Sequence, residues 1–72
     1  MSQQHDFFLA RAAEARREAD AATLPNVKDR CLRAVAAWES MAARVERTEK
    51  QRARVEAARL ARAEEAASAP MT

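Results

Sequence analysis

One interior break interrupts a 72-residue chain that contains no glycine. Without glycine, the turns that need a positive φ lack their usual residue, so any reversal must come from proline and capping side chains. That reversal falls at Thr23-Leu24-Pro25-Asn26. Pro25 lacks an N–H and disfavours the α conformation at Leu24, which predicts a helix ending near Ala22. Proline suits the first turn of a helix, so a second helix should start at the same place. Two caps fit: Thr23, with Pro25 in the first turn, or Asn26, with Asp29 three residues on. Thr23 is the preferred one. A connection this short makes the two helices antiparallel neighbours.

On both sides of the break the residues are Ala, Arg, Glu, Leu, Met, Lys and Gln, the strong helix formers. β-branched and aromatic residues are scarce, and no alternating segment is followed by a turn dipeptide. The expected class is therefore all-α, an antiparallel helical hairpin of helices at about 3–22 and 25–67. Residues 1–48 would form the hairpin, 49–67 a charged helical extension and 68–72 a disordered tail.

The first helix has a seam at Phe8, Ala12, Ala15, Ala19 and Ala22, stepping four, three, four, three along one face. The second has an unbroken heptad made of Leu24, Cys31, Trp38 and Val45 in one column and Val27, Ala34, Met41 and Thr48 in the other. Leu32, Val35 and Ala42 widen this apolar face. Past Thr48 the same register reads Arg52, Val55, Arg59 and Arg62, so the apolar face should stop there. Pairs such as Glu46–Lys50, Arg52–Glu56, Glu56–Arg59 and Arg62–Glu65 would support the rest of the helix, at ~0.2–0.5 kcal/mol each. Antiparallel pairing around the break sets Ala12 against Trp38 and Phe8 against Met41. Small residues on the first helix would meet the largest side chain on the second, with a sulfur–aromatic contact beside it.

Such a hairpin is short of cover. Hydrophobic residues make up 49% of the chain, but most are alanine. A domain of this size buries only ~60% of its unfolded surface, and small scaffolds need a disulfide, a metal or association to hold. The single cysteine excludes an internal disulfide, and no cluster of metal ligands is present. Leu32, Val35 and part of Trp38 should point beyond the first helix. Association into a dimeric four-helix bundle would cover them. The interface and core residues are then Phe8, Ala12, Ala15, Cys31, Leu32, Val35, Trp38, Met41 and Val45.

Chemistry has little to rest on. His5 beside Asp6 is the lone imidazole–carboxylate neighbour pair, but adjacent helical residues face different directions, and an exposed polar residue at a fraying end is the plainer account. Cys31 shares a heptad column with Trp38 and Val45, where a small buried hydrophobe is expected rather than a redox thiol. With His5 it also falls short of a zinc ligand set. Trp38 belongs to the core or an interface before it belongs to a cofactor site. A glycine-rich phosphate loop is impossible. No enzyme activity, cofactor, metal or small-molecule ligand is expected.

The formal net charge of +2 with 33% charged residues mixes both signs, which gives no strong field for steering. No apolar run approaches the ~20 residues of a membrane span, and the start of the chain lacks the hydrophobic core of a signal peptide. A cytoplasmic location is expected. The alternative partner is nucleic acid, through a line of Arg47, Lys50 and Arg54 on an extended second helix. Against it, Glu46, Glu49, Glu56, Glu64 and Glu65 interleave the basic residues along the sequence, the pattern of a solvated single helix.

The segment from Asn26 to Arg44 and on through Arg47-Thr48-Glu49, together with Phe7-Phe8-Leu9-Ala10-Arg11-Ala12-Ala13-Glu14-Ala15-Arg16, resembles short uncharacterised Ala/Arg-rich bacterial proteins of high-GC genomes. Residues 5–49 carry this resemblance. It implies a helical hairpin and no particular activity. The expected role is that of a self-associating adaptor or regulator working through helix–helix contacts, with a protein partner possible and no membrane.

Overall fold

The computed structural model describes residues 2–68 and contains two helices, α1 (Gln3–Ala21) and α2 (Pro25–Ser68). They form an antiparallel hairpin measuring 76 × 16 × 11 Å. Ser2 caps α1: its backbone is extended, and its Oγ accepts from the His5 N–H at 3.2 Å. Asp6 lies in the first turn, where the helix dipole favours a carboxylate. At the other end Ala22 is extended, and its N–H donates to the Ala19 carbonyl at 3.3 Å. The helix stops without a left-handed residue, because the approaching proline ends it.

The start of α2 differs from expectation. Leu24, not Thr23 or Asn26, holds the position before the first helical residue, and its carbonyl accepts from the Lys28 N–H at 3.0 Å. Pro25 is the first helical residue, so its missing N–H falls where no intrahelical partner exists. α2 then runs unbroken to Ser68, whose hydroxyl donates to the Glu64 carbonyl at 2.8 Å. Ser68 is thus helical, and the rest of the segment expected as a tail (69–72) lies outside the described residues.

The core is narrow. Ala12, Ala15 and Ala19 of α1 are buried against Val35 and Ala42 of α2, with Ala19 at 0% exposure. Alanine at these steps lets the two backbones approach closely. Only small side chains fit between them, and this decides how α2 is rotated. Val35 was expected to point beyond α1, yet it is 3% exposed and packed under it. Cys31, Ala34, Trp38, Met41 and Val45 are half-buried along one side of that line. Leu32, on the other side, is 41% exposed. Val35 and Ala42 are the buried positions of α2, and the larger Trp38 lies to one side of them, half-buried.

α1 begins beside residues 45–49 of α2, and every residue from Lys50 to Ser68 is exposed. Nearly half of α2 therefore extends past its partner as a lone helix. Propensity and surface pairs hold it. Arg59 donates to both carboxylate oxygens of Glu56, at 3.1 and 2.6 Å, and Lys50 lies 3.0 Å from Glu46.

Candidate functional site

The two sides of the hairpin are unlike. On one, Arg16 reaches across to Glu39 at 3.5 Å, an exposed pair worth about 0–1 kcal/mol. On the other, a shallow groove runs between the helices. Its lower part is lined by Glu18, Ala21 and Ala22 of α1 and by Val27, Arg30, Cys31 and Ala34 of α2. Its upper part is lined by Arg11, Glu14, Ala15, Ala34 and Trp38. The floor is the half-buried heptad of α2, which α1 covers along one edge only.

Trp38 closes the upper end in an aromatic cluster. Its ring meets Phe7 edge-on (centroids 6.2 Å apart, 90°) and Phe8 at 5.9 Å and 31°. Both separations fall in the favourable range for aromatic pairs. The Arg11 guanidinium stands 5.4 Å from the indole centroid, a cation–π distance. The Phe8 ring lies beside Trp38. Phe7, 54% exposed, extends this apolar surface outward. The groove rim carries Arg11 paired with Glu14 at 3.0 Å and, further down, Glu18 on α1, and Arg30 on α2.

His5 is the other departure from expectation. It is 7% exposed rather than solvated. Nδ1 lies 3.5 Å from an Asp6 oxygen without an aligned hydrogen bond, and Nε2 lies 4.0 Å from Glu46. Its position is seven residues before Ala12, so it falls on the α1 seam one turn above Phe8. The Glu46 carboxyl is held below the usual range, first by its hydrogen bond to Lys50, then by the Lys50 charge and, more weakly, by His5. Carboxylates, not a nucleophile, face this imidazole.

Cys31 is a free thiol, half-buried in the groove floor. Among the described residues no group of three or more His, Cys, Asp or Glu side chains is placed to hold a metal. Among the described residues no helix is long and apolar enough to cross a membrane. Arg47, Lys50 and Arg54 share one surface hollow with Gln51 on the exposed part of α2. Comparison with family models, with curated proteins and with solved structures finds no match.

Proposed function

We propose that this protein is a non-enzymatic interaction element that self-associates through the groove side of its hairpin, two copies forming a four-helix bundle, and serves as an adaptor or regulator in the cytoplasm. One observation carries this: the heptad from Cys31 to Val45 is continuous, yet α1 leaves it half-covered. A helix whose apolar repeat exceeds what its own chain shields gains by burying the remainder against another helix, at roughly 25 cal/mol per Å². The rim charges suit a two-fold arrangement. A copy that lays its α1 over the other's α2 brings Glu18 toward Arg30, and an isologous interface makes every such contact twice.

Sedimentation equilibrium of the full chain from about 1 to 100 µM tests the proposal. The expected result is a dimer mass that falls toward monomer on dilution, with tryptophan emission shifting to the red as the indole meets water. A folded monomer across the whole range overturns it. Trp38→Ala should abolish the dimer, whereas Leu32→Ala, on the other side of the hairpin, should leave it intact.

A further inference from the structure

Acidic and basic residues alternate along α2 in sequence but separate around its axis. Glu39 pairs with Arg16 of α1, Glu46 lies beside His5, and Glu49 is half-buried beside the start of α1. Glu56, seven residues on, continues that line and holds Arg59. The carboxylates in the central part of α2 therefore lie toward the α1 side. At 3.6 residues per turn, Arg33, Arg44, Arg47, Arg54 and Arg62 fall on the outer side, where Ser40, Gln51 and Ala58 fill the positions between them. All five arginines are exposed residues. Among the described residues none of them makes an ion pair, while Arg11, Arg16, Lys50 and Arg59 all do. Asp29 and Glu65 mark the two ends of this basic line.

We propose that this outer face of α2 binds the phosphate backbone of double-stranded nucleic acid. From Arg33 to Arg62 the line is about 44 Å long at 1.5 Å per residue, and an uninterrupted helix holds its spacing fixed. A major groove about 12 Å wide admits an α-helix, and guanidiniums spread along one reach phosphates on both of its edges. The residues between the arginines are small or uncharged, which lets the backbone come close. α1 packs on the opposite side of α2 and leaves most of the face free; Arg44 alone of the five lines a hollow with Ser2 and Gln4 at the start of the hairpin. A bilayer surface would call for large apolar anchors, and Val55 is the single side chain of that kind along the line. A single strand would call for aromatic platforms, and the aromatic residues of the chain gather instead around Trp38 at the groove. The contact is to phosphate, so it is sequence-independent. It does not depend on self-association.

The test is fluorescence anisotropy of the full chain with a labelled 20-base-pair duplex of mixed sequence between 50 and 200 mM salt. Binding should weaken with salt, log K against log salt having a slope of about −3 to −5 for most of the five arginines neutralising a phosphate. Arg47→Gln with Arg54→Gln should weaken binding about tenfold or more at 50 mM salt and flatten the slope by about 2. Arg52→Gln with Arg59→Gln removes the same charge from elsewhere on α2 and should change affinity less than about threefold. Circular dichroism checks that both double variants remain helical. The proposal is overturned by no binding up to about 100 µM at 50 mM salt, or by equal losses in the two double variants. Tighter binding to phosphatidylserine vesicles, to a polyglutamate chain or to a thymidine 20-mer than to the duplex also overturns it.

Discussion

Residues 25–49 and 50–68 belong to the same helix and are both rich in Ala, Arg and Glu, yet different physics holds them. In the first stretch Val35 and Ala42 are buried at 3% and 2% exposure against an alanine rail. In the second every side chain is exposed, including Val55 at 54% and Leu60 at 50%. The first is helical because tertiary burial rewards it. The second is helical because Ala, Arg and Glu favour that state locally and ion pairs such as Glu56–Arg59 add to it. Helix content alone would not separate the two, whereas sensitivity to substitution should.

Val35→Asp is the most damaging change expected. It places an unpaired carboxylate between two closely packed helices, a cost of more than about 3 kcal/mol. A domain this small has on the order of 5 kcal/mol in total. Thermal melts should lose their cooperative transition. If the variant melts like the parent, Val35 does not face α1. Trp38→Ala comes next. A fully buried ring would cost ~3–5 kcal/mol, but Trp38 is half-buried in one chain, so about 1–3 kcal/mol is expected within the hairpin. A larger loss that grows with protein concentration would place the remainder of the ring in a dimer interface. Ala58→Pro should remove ellipticity from the projecting helix, since an interior proline costs about 3 kcal/mol, yet leave the hairpin transition where it was. A shift of that transition would mean that residues 50–68 support the hairpin after all.

Much of this architecture was legible in the sequence. Pro25 in a glycine-free chain places the reversal, and the four–three stepping of Ala12, Ala15 and Ala19 lies on the face of α1 that is buried. The rotation of α2 was not legible. Leu24 to Thr48 forms the more regular heptad, but regularity reports how apolar a face is, not which part of it a given neighbour can reach. Backbone approach over alanines selects Val35 and Ala42 by size, and size matching appears only when both helices are considered together. His5 was readable in principle, because it continues the spacing of Phe8 and Ala12. Its closeness to the chain start suggested fraying, and the cap from Ser2 together with the cover from α2 outweighs that tendency. The groove follows from the same rotation. Arg47 and Arg54 of the basic outer line were legible, but its extent from Arg33 to Arg62 was obscured by linear order, since glutamates that sit between arginines in sequence are carried to another face by the helical turn.

Acid separates the two stretches most finely. Glu46, at the end of the hairpin, and Glu56, in the projecting helix, both have carboxyl pKa values below the usual range, Glu46 chiefly through Lys50 and Glu56 through Arg59. A carboxyl depressed in the folded state contributes stability that is fully present above its unfolded pKa, about 4.3. That contribution is lost as pH falls through the lower folded value. Neither group should therefore alter anything between pH 7 and about 5. Below about 4.5 the loss of Glu46 should lower the hairpin melting temperature slightly, and Glu46→Gln should remove that part of the acid response. Glu56→Gln should reduce ellipticity at neutral pH and its further decline in acid, without moving the melting temperature, because residues around 56 pack against nothing. Equal melting shifts from the two variants would show that the helix unfolds as one cooperative unit, and the distinction between a packed stretch and a free one would fail.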